Sequence, residues 1–274
     1  MKMGMRRLQL FILLFTMCSL LFQLPSEAFA DSNSSGSVKS IVQINDSTTY
    51  GPDLSNNDLF GWSVANIGDL DGNGITDIVI GAIQDDAGGK NRGAVHIIFM
   101  EGDGSVKSTV EINSDTTNGP TLTNDDRFGW SVANIGDLDG DGVDDIVAGA
   151  TYDGTGGNKK GAVHIMFMES DGSVKSTAVI NDSTENGPDL TCGDQFGYSV
   201  EHLDDLDRDG VNDLAVGAIN DDEGTGNNLG AVHIIFMNTD GSVDSIVEIN
   251  SSTTNGPSLA ASDTFGTSIA NIGH

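Results

Sequence analysis

The chain has 274 residues, of which 41 are acidic and 12 are basic, and its formal charge at pH 7 is −29. A surface this acidic repels nucleic acid and anionic lipid, so the sequence excludes a nucleic-acid partner and favours bound cations. Acidic composition can accompany disorder, but the regular apolar strand patterns of this chain predict a folded protein.

Residues 1–30 have the composition of an export signal. Lys2, Arg6 and Arg7 form a basic start, residues 8–22 are mostly apolar, and residues 28–30 fit a small-residue cleavage site. The apolar run is short for a membrane-spanning helix, and no second run follows it. The sequence therefore predicts a secreted or cell-surface protein whose mature chain is not inserted into a membrane.

Only one cysteine, Cys192, follows this segment, so an intramolecular disulfide is excluded in the mature chain. Stability is then expected to come from packing and from bound metal.

One unit recurs along the rest of the chain, and 68 residues separate its successive Phe-Gly pairs at Phe60, Phe128 and Phe196. A fixed long period indicates an array of similar supersecondary units. We divide the chain into a partial outer strand and loop at 37–59, repeats at 60–127, 128–195 and 196–264, and a truncated repeat at 265–274.

Four segments of the first repeat have strand patterns, namely 62–67, 77–82, 93–100 and 105–112. The second and third are nearly continuous apolar runs, as in strands buried on both faces, and the fourth alternates like an exposed outer strand. Apart from the signal, no segment has a helical apolar stripe. Four strands per unit with glycine-rich turns predict an all-β protein, a β-propeller of four-stranded blades.

The chain holds about three and a quarter units, whereas a closed propeller has at least four blades. We expect either that the ring is incomplete because the sequence is the front of a longer protein, or that self-association between chains completes it.

Several residues recur at fixed places in the units. Gly81, Gly149 and Gly217 are expected to let neighbouring blades approach closely. Aromatic residues after each Phe-Gly pair are expected in the blade cores. A recurrent strand histidine is expected to be a packing or bordering residue, with a metal ligand as the lesser alternative. These residues are Trp62, Trp130 and Tyr198, and His96, His164 and His233. The acid pairs Asp85-Asp86 and Asp221-Asp222 are interpreted as solvated loop charges.

An acidic loop follows the first strand of every unit. Side-chain oxygens recur at its relative positions 1, 3, 5 and 9, and position 7 offers only a backbone carbonyl. The candidate ligands are Asp69, Asp71, Asn73, Ile75 and Asp77, then Asp137, Asp139, Asp141, Val143 and Asp145, then Asp205, Asp207, Asp209, Val211 and Asp213. Calcium takes six to eight oxygen ligands in flexible geometry, so three such loops in register favour Ca²⁺ over an ordinary polar turn. An EF-hand is excluded, because position 12 is Ile80, Ala148 or Val216 on a strand.

The succession Phe-Gly-x-Ser-Val, Gly-Asp-Leu-Asp-Gly-Asp-Gly-x-x-Asp and Val-x-Gly-Ala resembles the FG-GAP repeat of the integrin α-subunit propeller. The resemblance covers residues 37–273, and the third copy departs from it with Asp204 in place of the leading glycine. It implies a seven-bladed propeller with calcium in loops on one face and ligand binding on the other. Carried over by position, the metal ligands are the fifteen residues given above. The resemblance does not carry over an integrin's partner subunit, inserted domain or ligand.

The sequence contains no Gly-x-Ser-x-Gly elbow, no His-Glu-x-x-His motif and no phosphate-binding loop with lysine, so we predict that the protein is not an enzyme. We predict a calcium-binding adhesion module for an extracellular protein or glycan, bound at the long connections opposite the acidic loops. Two alternatives stay open. The chain could be the propeller part of an extracellular hydrolase or lyase whose catalytic residues lie outside it, or an architectural surface-layer or matrix component.

Overall fold

The computed structural model describes residues 38, 40–154, 159–222 and 228–273. The predicted signal at 1–30 and His274 lie outside the described residues. Residues Val42–His274 form one compact unit. Its described residues are strands, turns and irregular segments without a helix, so none of them offers a long apolar helix that could cross a membrane.

Twelve strands are present in the described residues, arranged as three four-stranded sheets. Blade I comprises β1 Phe60–Asn66, β2 Ile78–Ala82, β3 Ala94–Met100 and β4 Val106–Ile112; blade II comprises β5 Phe128–Gly136, β6 Asp145–Ala150, β7 Ala162–Met168 and β8 Val174–Ile180; blade III comprises β9 Phe196–His202, β10 Leu214–Ala218, β11 Ala231–Met237 and β12 Val243–Ile249. Each sheet is an antiparallel meander in chain order. The prediction of four-stranded propeller blades is confirmed, and the strand bounds in blade I differ from the predicted ones by at most two residues.

The meander gives each blade two distinct ends. In blade I the β1–β2 and β3–β4 connections lie at one end, which we call the acidic-loop end. The β2–β3 connection and the link from β4 to the next blade lie at the other, which we call the opposite end. The predicted ligand loops of all three blades therefore share one end of the fold.

The apolar core lies between successive sheets, because the two central strands of each blade are buried on both faces. Ile97 of blade I belongs to one apolar cluster with Ile146 of blade II. Ile165 of blade II belongs to another with Leu214 of blade III. Burial of such side chains from water is the main favourable term in holding blade to blade.

Glycine allows the second strand of one blade to touch the first strand of the next. A Cβ on Gly149 would lie 2.0 Å from the carbonyl oxygen of Gly197 in the next blade. The Ser131 hydroxyl donates a hydrogen bond of 2.8 Å to that same oxygen. Gly81 and Gly217 have the same contact with their next neighbours, so the predicted role of these glycines in close blade approach is confirmed.

The two partial units do not form the predicted strands. Among the described residues of 37–59 none is in a strand, and in the tail only Phe265 pairs, through an isolated bridge with Gly230. The predicted outer strand within 37–45 is wrong over its described residues, because an outer strand needs a hydrogen-bonded neighbour and the described chain places none beside it. The turn after it nevertheless has the same conformation as in the repeat, since the Thr48 N–H donates to Asn45 O just as the Thr116 N–H donates to Asn113 O. The three blades do not close into a ring within the described residues.

Candidate metal centres

Each acidic loop is closed at its base by backbone hydrogen bonds that continue the first two strands. In blade I the Ile67 N–H donates to Asp77 O at 3.1 Å, and the Asp77 N–H donates back to Gly68 O. Blade III has the same pair between Leu203, Asp204 and Asp213. The loop is thus a tight excursion from a rigid hairpin, which fixes where its carboxylates lie.

Inside the loop, backbone N–H groups point at the carboxylates. In blade II the Asp141 N–H donates to Asp137 Oδ1 at 2.9 Å and to Asp139 Oδ1 at 3.2 Å. The Gly142 N–H donates to Asp137 Oδ2 at 2.9 Å, and the Val143 N–H to Asp141 Oδ1 at 3.0 Å. Blades I and III repeat this pattern. Gly142 has a φ of +92°, a conformation that glycine adopts readily and that turns the chain around the carboxylates.

The position 9 aspartate is the buried anchor of the loop. Asp145 is 1% exposed, its Oδ2 accepts a 2.9 Å hydrogen bond from the Leu138 N–H, and its Oδ1 accepts one from the Met168 N–H. Burial raises the pKa of Asp145 to about 6, and the negative charges of Asp139 and Asp141 act in the same direction. Burial also raises the pKa of its counterparts Asp77 and Asp213.

The loop brings three carboxylates together in every blade. One oxygen from each of positions 1, 3 and 9 lies within 4.8 Å of the other two; the groups are Asp69, Asp71 and Asp77, then Asp137, Asp139 and Asp145, then Asp205, Asp207 and Asp213. Like charges this close repel one another, and a hard divalent cation removes that repulsion. An all-oxygen donor set of this kind fits calcium. The ligand roles of position 5 and of the position 7 carbonyls of Ile75, Val143 and Val211 stay predictions.

Two of the loops also contact a lysine from the outer strand, which the sequence analysis missed. Lys175 Nζ lies 2.6 Å from Asp139 Oδ2 and 2.6 Å from Asp141 Oδ2. These hydrogen bonds raise the pKa of Lys175 and lower that of Asp141. Lys107 contacts Asp71 in the same way in blade I. Val-Lys-Ser at 106–108 and 174–176 becomes Val-Asp-Ser at 243–245, so blade III carries Asp244 at this position.

At the opposite end, the aromatic residues after the Phe-Gly pairs are not blade core, and that prediction is wrong. Trp62 is 48% exposed, and its ring centroid lies 4.9 Å from that of Trp130, which in turn lies 5.2 Å from that of Tyr198. A bulge at the start of the first strand explains the difference, because it turns Phe128 and Phe196 into the core and the next aromatic outwards. We call Trp62, Trp130 and Tyr198 the aromatic row.

Cationic groups lie beside the aromatic row. The Arg127 guanidinium lies 4.3 Å from the ring centroid of Tyr152 and 5.9 Å from that of Trp130. Lys159 Nζ lies 4.8 Å from the same Tyr152 ring. The opposite end of blade II therefore combines half-buried π-faces with positive charge on a protein that is otherwise strongly acidic.

The acid pairs of the β2–β3 connections are not simply solvated, which corrects a second prediction. Asp86 is exposed, but Asp85 and Asp221 are only 4% and 5% exposed. Asp85 is the third residue of the connection. Its N–H donates to Ala82 O and its own carbonyl accepts from the Gly93 N–H, so the closing hairpin turns it inwards. The strand histidines are buried, so of the two predicted roles the structure shows packing, and His96 packs edge-on against Phe60 with ring centroids 5.4 Å apart.

Comparison with known proteins agrees with the fold and with the loop pattern. A family model described as FG-GAP repeat matches residues 128–166 and 196–235, and a second FG-GAP repeat model matches residues 50–99. These segments hold the first two strands, the acidic loop and most of the third strand of blades II, III and I. Each of the three blades thus carries a match to the FG-GAP repeat.

Integrin alpha subunits are among the relatives of this chain. The chain is 36% identical to integrin alpha-6 of Gallus gallus over 164 residues, which cover 59% of this chain and 14% of that relative. It is 37% identical to integrin alpha-6 of Homo sapiens over 164 residues, covering 59% and 13%. Integrin alpha-PS5 of Drosophila melanogaster is 30% identical over 162 residues, covering 59% and 15%. The similarity thus spans about one seventh of these relatives.

Proposed function

We propose that this FG-GAP chain is a secreted or cell-surface adhesion module, without catalytic activity, whose blades are stabilised by calcium. The observation that carries the proposal is the same carboxylate triad at positions 1, 3 and 9 in all three blades, within 4.8 Å each time. Similarity to integrin alpha subunits and the export-like segment 1–30 support the extracellular setting.

Calcium fits these loops better than magnesium. Magnesium requires near-ideal octahedral geometry and keeps several waters, whereas calcium accepts irregular sets of protein oxygens. Hydrogen bonds from the loop N–H groups hold the carboxylates of Asp137 and Asp139 in place. The lone pairs of these oxygens that accept no hydrogen bond are therefore already oriented when the ion binds. The bound ion would supply positive charge that lets Asp145 stay ionised in its buried place.

The aromatic row supplies the ligand-binding surface of the proposal. Aromatic side chains with a nearby arginine are enriched where proteins bind protein or glycan partners, because they bury large areas at little entropic cost. Trp62, Trp130 and Tyr198 come from three successive blades, so the row depends on the blades being held in register. Calcium in the loops would act on binding through that register, since the loops lie at the other end of the same strands.

The adhesion proposal is tested with beads that carry the full chain on arrays of extracellular-matrix proteins and glycans. We expect retention of the wild type in calcium, and loss of about tenfold or more of it for Trp130→Ala, since truncating a hot-spot aromatic residue costs about 2 kcal/mol or more. Val247→Ala, which alters a half-exposed residue of outer strand β12, is the matched control and should bind like the wild type. Retention of Trp130→Ala at the wild-type level, or failure of the folded wild type to bind either array, would reject this surface.

The lysine contacts predict unequal calcium sites. Lys175 occupies two carboxylates of the blade II loop and must leave them when calcium binds, so Lys175→Met should tighten that site by roughly threefold to tenfold. Isothermal titration calorimetry with calcium measures the change. Lys90→Met is the control, because Lys90 pairs with Asp125 at the other end of blade I and should leave calcium affinity unchanged. Equal affinities for the wild type and Lys175→Met would show that the lysine does not compete.

A further inference from the structure

A second group of ligand atoms lies at the opposite end of blade I, away from the acidic loop. Asp85, His96 and Glu111 each place one ligand atom within 4.8 Å of the other two. His96 is the third residue of β3, Glu111 is its direct partner across the β3–β4 ladder, and Asp85 follows the end of β2. Three segments of one rigid sheet therefore fix the group.

His96 has no hydrogen bond that accounts for its burial. Its side chain is 0% exposed, and neither ring nitrogen has a hydrogen-bond partner. Its Nε2 points at Asp85 Oδ2 across 3.7 Å, which is too long for a hydrogen bond. A buried polar group left without a partner is costly and rare, and a bound ion is one of the few physical explanations for it.

The two carboxylates are held in place by neighbours that leave oxygens facing the imidazole. Asp85 Oδ1 accepts a 2.7 Å hydrogen bond from the Ala87 N–H, so Oδ2 remains on the histidine side. The Asn113 side-chain amide donates to Glu111 Oε1 at 2.5 Å. Hydrogen bonds of this kind orient metal ligands from outside the coordination shell.

The repeats provide an internal comparison. His164 in blade II lies 3.7 Å from Asp153, but the residue across the ladder is Val179 instead of glutamate. Blade II has a cavity of about 180 Å³ at this place, lined among others by Asp153, His164 and Val179. In blade III, His233 Nε2 lies 3.3 Å from Asp221, and Glu248 is again the ladder partner. Blades I and III thus share the full set of residue types, and blade II lacks one carboxylate.

We propose that Asp85, His96 and Glu111 form a binding site for a zinc-like divalent transition-metal ion, distinct from the calcium loops. Imidazole nitrogen and carboxylate oxygen are both ligands that Zn²⁺ takes in proteins, and three protein ligands leave the fourth tetrahedral position to water. The nitrogen donor separates this site from the acidic loops, because calcium and magnesium prefer oxygen alone. The ion would tie β3, β4 and the β2–β3 connection together beneath the end that carries the aromatic row.

The test titrates Co²⁺, a visible stand-in for zinc, into the full chain at saturating calcium, which keeps the acidic loops filled. We expect the d–d absorption of protein-bound Co²⁺ to develop and to be displaced by Zn²⁺. Glu111→Val should bind one equivalent less than the wild type. This variant is expected to fold, because it copies the arrangement found in blade II, and its thermal melt at saturating calcium checks that.

The reverse change makes the test independent of any loss of folding. Val179→Glu rebuilds the missing carboxylate across from His164, so it should bind one more equivalent of Co²⁺ than the wild type. Glu101→Gln changes an exposed acid at the acidic-loop end and is the control for charge alone. The proposal is overturned if the wild type binds no Co²⁺ or Zn²⁺, or if Glu111→Val binds as many equivalents as the wild type. An imidazolium signal from His96 in metal-free and metal-treated samples alike would show a plain ion pair with the carboxylates instead, and would also overturn it.

Discussion

Saturating calcium is expected to raise the thermal unfolding midpoint of the full chain by roughly 15 to 30 °C relative to the same protein in EDTA. An ion that binds only the folded state at 100 times its Kd adds about 2.7 kcal/mol, so three such sites add about 8 kcal/mol. For a domain of this size, 1 kcal/mol corresponds to about 2 to 4 °C. The melt is followed by circular dichroism in the β-sheet region.

Magnesium at the same concentration is the control for general screening of a chain with a formal charge of −29. We expect magnesium to give a much smaller rise, because its octahedral demand does not match loops that offer irregular oxygens. A cooperatively folded protein with the same midpoint in calcium and in EDTA would contradict the calcium assignment and return the loops to ordinary acidic turns.

The strands were predictable because their signal is local and repeated. Runs such as 77–82 and 93–100 are apolar on both faces, and the period of the chain copies each boundary into the next blade. The convergence of Asp69, Asp71 and Asp77 was predictable for the same reason, since odd spacing in a glycine-containing loop brings side chains to one side. Both the loops and the strands are determined by short sequence patterns, and each pattern occurs in three repeats.

The errors came from features that depend on the neighbouring strand or blade. Trp130 has the large apolar side chain typical of a core residue, but the strand bulge beside it buries Phe128 instead. Asp85 has the charged side chain typical of a solvated loop residue, yet the β2–β3 connection places it beside His96. The contact of Lys175 with Asp139 joins residues 36 apart, so no local pattern contains it.

The partial units also show that a strand depends on a neighbouring strand. Residues 37–45 have the pattern of an outer strand, but their described residues do not form one, because a pattern supplies side chains and not the hydrogen-bonded neighbour. The turn that follows forms in full, since the Thr48 N–H and Asn45 carbonyl that close it belong to the turn itself.

Substitutions at positions 9 and 1 of one loop are expected to separate folding from calcium binding. Asp145→Ala should lower the free energy of unfolding in EDTA by about 2 to 4 kcal/mol, because it leaves the buried N–H groups of Leu138 and Met168 without acceptors. Asp137→Asn should change that free energy little, since Asp137 is exposed and its hydrogen bonds stay within the loop. Urea unfolding in EDTA measures both values.

The same two variants should lose calcium binding in blade II equally and yet differ in stability when calcium is absent. Each removes a carboxylate from one triad, so each should lose one calcium equivalent in a titration, and the other two loops should bind as before. Asp137→Asn would then be as stable as the wild type without calcium and less stable with it, whereas Asp145→Ala would be less stable in both. Equal loss of stability in EDTA for the two variants would show that Asp145 is no more than a ligand. Unchanged calcium stoichiometry for Asp137→Asn would show instead that the exposed carboxylates take no part in binding, and that the buried aspartate alone gives the loop its order.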